Sequence, residues 1–268
     1  MKKKWALYVS SVLTGLLFLA AIFSPWIMPN DPHAPNMVMK LQGFSVQYPL
    51  GTDHLGRCVL SRLIEGTRVS LSIAFVVLIA TLTISMIVGL IAGFVGGWID
   101  IILMRVCDIL LAIPNFIFAL VIVGALGAGM KNLLIALVLV TWVGFARIIR
   151  NMVKSLKETD YVIYAHVCGV AKWRIITRHI VPFVFPQMLL LKLISLGTTI
   201  LMISELSFLG LGVTAPTAEW GMMISESKTY LTTQPELMLI PGIMISLTVL
   251  IFNAFGDSLR DVLDPKTT

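Results

Sequence analysis

DYVIYAHVCGVAKWRIITRHIVP, Asp160–Pro182, is the one long polar, basic segment in an otherwise apolar chain, set between runs long enough to cross a bilayer. From Arg147 to Pro182 the positive residues are Arg147, Arg150, Lys154, Lys157, Lys172, Arg174 and Arg178, opposed only by Glu158 and Asp160. That stretch holds nearly all of the net charge of +6. Basic residues concentrated in one loop place the loop in the cytoplasm. Thr159 and Asp160 suit helix N-caps, because a short side-chain oxygen satisfies the first free backbone N–H groups. The spacing then predicts a short helix with Val162, Ala165, His166 and Gly169 along one small face. Gly169 is placed to end it, since glycine takes the left-handed cap without strain. A second helix is predicted from about Lys172 to Ile180, stopping at Pro182. The product is a compact two-helix knob projecting from a membrane protein.

Composition agrees. The chain has 268 residues, of which 57% are hydrophobic and 13% charged, against roughly 25% charged in soluble domains. Spanning elements are helices or closed barrels. The apolar runs are continuous rather than alternating, which excludes a barrel pattern. The fold class is therefore all-α and polytopic, with six spans and both termini cytoplasmic. The pI near 9.3 follows from the positive-inside pattern and does not call for nucleic acid. Cys58, Cys107 and Cys168 have neither CxxC spacing nor an even count, so no disulfide framework or zinc site is indicated.

In chain order, a basic start at Met1–Lys4 leads into an uncleaved first span, Trp5–Met28. Pro29–Gly66 is an outside loop rich in Pro, Gly and polar residues, in which Asp53 and Arg57 are placed to pair across a glycine turn. The second span is Leu71–Val95, with Gly89, Gly93 and Gly97 in overlapping GxxxG spacings that favour close helix packing. Trp98–Asp108 reads as a short inside loop, Ile109–Gly127 as a third span kinked near Pro114, and Leu133–Ile149 as the fourth. The fifth, Phe183–Gly210, carries Lys192 and Glu205 inside an apolar run. Intramembrane charges face a bundle interior or aqueous cavity; snorkelling to the interface is the alternative. The loop Leu211–Glu236 is net acidic, and Leu239–Phe255 is the sixth span. The chain divides at about residue 70 into an N-terminal helix with its outer loop (1–70) and a five-helix core (71–268), the basic loop occupying 150–182.

Three blocks carry a family resemblance. Ala165, Gly169, His179 and Pro182 lie where the cytoplasmic "EAA" loop of ABC importer permeases has its alanine, glycine and proline-containing end. Ile163 stands where that pattern has Glu, and Tyr164 replaces its first Ala. YPLGTDHLGRCVLSRLIEGTRVSL, Tyr48–Leu71, resembles the segment before the second helix in the dipeptide, oligopeptide and nickel branch, with Cys58 for the usual Asp. SELSFLGLGVTAPTAEWGMMI, Ser204–Ile224, followed by Gln234-Pro235, is similar to the nickel permeases of that branch, and Phe252–Pro265 resembles the branch's cytoplasmic tail.

The resemblance implies a type I ABC importer permease, a non-catalytic subunit of the bacterial cytoplasmic membrane that pairs with a second, related permease. It implies two ATPase subunits inside and an extracytoplasmic binding protein outside, with ATP and Mg bound by the partners and no cofactor on this chain. Asp160, Ala165, His166, Gly169, Val170 and Arg174 would form the coupling surface for the ATPase; anionic lipid binding is the alternative for so basic a loop. Lys192, Glu205, Met222 and Met223 are nominated for the translocation pathway. Nickel, as ion or chelate, is the expected cargo, with a dipeptide or oligopeptide as the alternative. Thioether and imidazole bind borderline metals, so His54, Met222 and Met223 are possible passing contacts; packing is the plainer role for methionine. No metal ligand set is assigned. The chain lacks GxxxxGK[ST], HExxH and GxSxG, so neither a nucleotide site nor a hydrolase site is visible. A self-sufficient secondary transporter or channel would instead show inverted repeats, and none is apparent.

Overall fold

A computed structural model describes residues 2–263, so Asp264 and Pro265 of the tail block and Met1 of the basic start lie outside the described residues. The helices are α1 Lys2–Ile22, α2 Ser24–Ile27, α3 Val59–Val95, α4 Gly97–Leu111, α5 Asn115–Leu126, α6 Met130–Thr141, α7 Val143–Lys157, α8 Asp160–Val167, α9 Lys172–Ile175, α10 Val181–Ile194, α11 Leu196–Phe208, α12 Trp220–Ser227 and α13 Glu236–Leu263. Among the described residues there is no strand, only an isolated bridge between Thr52 and Cys58. Five helical stretches are long and apolar enough to span, or six if the bent pair α4–α5 is one span. The chain forms two compact units, one from residues 77–119 and 135–193, the other from the remainder.

Several boundaries move from their sequence reading. α3 has 37 residues and starts at Val59, well before Leu71, because Arg62 in its first turns is buried and paired rather than left to solvent. Trp98–Asp108 is helical, not a loop: Asp100 near its start is held by Arg150 and Lys154. The break at Ala112–Pro114 bends α4 against α5 by 85°, where proline removes a helical donor. The fifth span is two helices, one ending at Ile194 and the shorter α11. Pro182 does not stop its helix. A π turn at Ile176–Ile180, closed by the Val181 N–H on the Ile176 carbonyl, immediately precedes the proline and shifts the hydrogen-bond ladder by one residue.

In the unit built from 77–119 and 135–193, the core is formed by Leu82 and Met86 of α3, Ile149, Val153 and Leu156 of α7, Val162 of α8, Ile175 of α9, Ile180 of the π turn, and Val184 and Met188 of α10. The knob is thus rooted in the bundle through its own apolar side chains. The glycine stripe serves this packing. A Cβ on Gly89 would stand 2.6 Å from Ile149 Cβ, and one on Gly93 2.7 Å from Val153 Cβ. Gly89→Val is therefore expected to destabilise the unit by about 1–3 kcal/mol through overpacking, read as a lower melting temperature of the purified protein. An unchanged melting temperature would mean that α3 and α7 are not in this contact.

In the other unit, α1 packs on α13, with Phe18 edge-on to Phe75 and Phe252. The AEWG run is a packing device. Ala218 and Trp220 are fully buried, the Trp220 indole donates to the Leu63 carbonyl at 3.1 Å, and a Cβ on Gly66 would stand 2.7 Å from the indole. Glu219 caps α12 by accepting from the Gly221 and Met222 N–H groups. Burial pushes its carboxyl above the ordinary range, and the donated hydrogen bonds, including those of Ser207 and Ser70, act the other way.

Candidate coupling surface and buried charge networks

α8 begins after Thr159 and ends in a Schellman cap. Gly169 has φ +76, its N–H donates to the His166 carbonyl, and the Val170 N–H donates to the Ala165 carbonyl, both at 3.0 Å. The face expected to meet a partner is divided. Val162 is buried and Ala165 packs against the core, with Val170 beside it, so these serve the bundle. His166, Gly169, Asp160 and Arg174 are exposed. The outward face is larger and more apolar than the Val162–Gly169 spacing suggested: Tyr161, Ile163, Tyr164 at 68% and Val167 at 78% exposure, with Trp173 beside Arg174. Next to it lies a groove of about 350 Å³ bounded by Phe94, Val95, Ile163, Val167 and the stems of Lys157 and Lys172. Contiguous exposed apolar side chains with a basic rim mark an interaction surface rather than a solvated loop.

The basic residues leading into the knob are mostly committed within the unit. Arg150 donates to both carboxylate oxygens of Asp100, at 2.8 and 2.6 Å, and Lys154 donates to the same group at 2.6 Å. Arg147 pairs with Asp108. Lys157 donates to the Phe94 carbonyl at 2.7 Å. The sequence signal for this was the spacing of Arg147, Arg150 and Lys154 on one face of α7; their partners Asp100 and Asp108 were hidden in what reads as a loop.

The other unit holds a second network. Asp53 Oδ1 accepts from the Leu55 and Arg57 N–H groups at 2.9 Å, which shapes the GTDHLGR turn. Arg57 Nε donates to Asp53 Oδ2 at 2.6 Å, as the turn predicted, and Arg57 and Arg62 both donate to Glu226, at 2.9 and 2.8 Å. Asp53, His54 and Glu226 bring ligand-type atoms within 4.8 Å of one another, and Met223 lines the same small cavity. Two guanidinium groups already neutralise the two carboxylates, however, and an added divalent cation would meet both positive charges. The arrangement is an ion-pair network, not a cation cage.

The pathway nominees separate by access. Glu205 is exposed on apolar α11 and Met222 is half-buried. Met223 is buried in the core of its unit, and Lys192 is only 3% exposed within the other. In this conformation neither Met223 nor Lys192 is open to cargo, because each is enclosed by its own unit's side chains.

Residues 85–268 match the family described as binding-protein-dependent transport system inner membrane component. The chain is 40% identical over 265 residues to the nickel transport system permease protein NikC of Escherichia coli (strain K12), covering 99% of this chain and 96% of that protein. The chain belongs to this family. The permease is also 39% identical over 266 residues to the metal-staphylopine import system permease protein CntC of Staphylococcus aureus (strain Mu50 / ATCC 700699), covering 99% and 92%. It is 38% identical over 266 residues to the dipeptide transport system permease protein DppC of Alkalihalophilus pseudofirmus, covering 99% and 88%. Its fold is similar to a chain of the inward-facing MetNI methionine ABC transporter, with a TM-score of 0.58, 18% identity, and coverage of 76% of this chain and 97% of that one. The permease is thus a multi-pass subunit of an ABC importer in the nickel and dipeptide branch.

Proposed function

We propose that the permease forms half of the translocation pathway for nickel, as ion or chelate, in the bacterial cytoplasmic membrane. It pairs with a second, homologous permease, with an ATPase subunit bound to each of the two, and receives cargo from an extracytoplasmic binding protein. ATP and Mg belong to the ATPases. Both termini and the knob lie on the cytoplasmic side, in accord with the basic loop. The observation that carries the coupling role is the exposed Tyr164–Val167 face on a helix whose other face is fixed in the bundle core. A partner that seats on the outer face moves α8 as a rigid piece, and Val162 passes that movement to α7, α9 and α10. Asp160, His166, Gly169 and Arg174 border that seat, while Ala165 and Val170 shape it from behind.

Glu205 is the residue of this chain best placed to meet a cation. A carboxylate exposed on an apolar helix is costly against lipid and suits a water-lined path between subunits. Met222, also partly exposed, offers a soft thioether contact. The nickel reading rests on the Gly212–Gly221 run and the similarity to the nickel permease; the similarity to the dipeptide permease supports the alternative. Uptake by the assembled complex decides between them. Radioactive nickel uptake is expected to require ATP and to be suppressed by excess nickel but not by excess dipeptide. Full competition by dipeptide would assign the chain to peptides.

A further inference from the structure

Two helical legs leave the knob for the bundle, α7 on its N-terminal side and the α9–α10 run on the other. Each contains one irregularity. The span Met130–Lys157 is interrupted for a single residue at Trp142, between α6 and α7. The outgoing leg has the π turn at Ile176–Ile180. The π turn shifts the hydrogen-bond ladder by one residue, while at Trp142 the chain bends with its backbone still in the right-handed α region and its carbonyl accepting from the Ala146 N–H at 3.0 Å.

Beyond the apolar core that packs the two legs together, a buried polar side chain links them. Lys192 of α10 donates from Nζ to Thr81 Oγ1 of α3 at 2.8 Å. It makes a longer contact, 3.4 Å, with the Thr141 carbonyl at the end of α6. Its Nζ also lies 3.7 Å from the centroid of the Phe145 ring in the first turn of α7. The neighbouring Trp142 carbonyl accepts from Ser85 Oγ of α3 at 2.8 Å. The two carbonyls at the interruption are therefore each gripped from another helix. Burying an ammonium in an apolar bundle is expensive, and a methionine would occupy the same length of space, so packing alone does not account for a lysine here.

We infer that Lys192 is a positioning residue that pins the α6–α7 interruption to α10 and α3, so that both legs of the knob move together when the ATPases close. This rests on the ATP-driven reading above. The pin touches no cargo. It converts movement of α8 into movement of the whole bundle, and without it the incoming leg yields at Trp142.

The test is Lys192→Met in the full complex with its ATPases and binding protein, reconstituted in vesicles, alongside Thr81→Val and Phe145→Leu. Hydrolysis rate, uptake rate and the cargo concentration for half-maximal uptake are measured together. Expected is ATP hydrolysis near the wild-type rate, an unchanged half-saturating concentration, and about a tenfold fall in cargo moved per ATP on losing the charge-assisted contacts. Thr81→Val should show the same fall in smaller degree, and combining it with Lys192→Met should add little. A raised half-saturating concentration at unchanged stoichiometry would make Lys192 a cargo contact instead, and wild-type values throughout would make it a spacer; either overturns the inference. Should Lys192→Met fail to assemble, wild-type stoichiometry in both Thr81→Val and Phe145→Leu overturns it equally. A wild-type complex that transports without ATP would refute the ATP-driven reading itself, an outcome distinct from all of these.

Discussion

Aspartate at both Tyr164 and Val167 is expected to weaken association with the ATPase by about a hundredfold or more, while membrane insertion and melting temperature stay at wild-type values. These side chains are among the most exposed apolar groups of the knob, and large apolar anchors at the centre of an interface typically account for about 2–4 kcal/mol each. Nothing in the permease itself packs on them closely enough to bury them, so the double substitution spares the fold. The Schellman cap at Gly169 and the buried Val162 keep α8 in place in the variant. Association is read by pull-down of the ATPase from solubilised membranes. Wild-type recovery would show that the ATPase seats elsewhere, and the basic face of Arg174 and Lys172 would then be left with headgroups as its partner.

Arg62→Ala is expected to be the most destabilising single change among the charged residues, by about 1.5–3 kcal/mol, because it strips one of two guanidinium partners from the partly buried Glu226 carboxylate. Arg62 is fully enclosed and donates to Glu226 at 2.8 Å, with Asp53 at 3.5 Å from its Nε. Glu226 would retain Arg57 alone. Arg147→Ala is the control: its pair with Asp108 is half exposed, and such pairs contribute roughly 0–1 kcal/mol. Melting temperatures of the two variants in the same detergent give the comparison. Equal shifts would contradict the buried network.

The knob was legible because its signals are local: a short polar residue before an apolar run and a glycine at the left-handed position. Thr159 does stand at the N-cap, but its hydroxyl donates to the Leu156 carbonyl at 2.6 Å instead of accepting from a helical N–H. Gly169 does end α8, as expected. The ion pair of Asp53 with Arg57 was likewise readable, since both lie in one turn. What local reading missed depends on contacts far apart in sequence. Arg62 and Asp100 read as loop residues because a charge inside an apolar helix has no evident partner in one dimension; Glu226 and Arg150 supply those partners 164 and 50 residues away. Pro182 read as a stop because the π turn that accommodates it has no sequence signature. Lys192 and Glu205 were both visible as intramembrane charges, but which one faces its own bundle and which faces outward is decided by packing. Val162, Ala165, His166 and Gly169 read as one face because periodicity shows which residues share a side, not which side the rest of the protein already covers.

The measurement that bears most directly on the whole account is cargo uptake into sealed vesicles by the permease pair with and without its ATPase subunits. Uptake that appears only with the ATPases and hydrolysable ATP, and disappears in the Tyr164 and Val167 double variant, is the predicted result. Uptake by the permeases alone in nucleotide-free vesicles would contradict it.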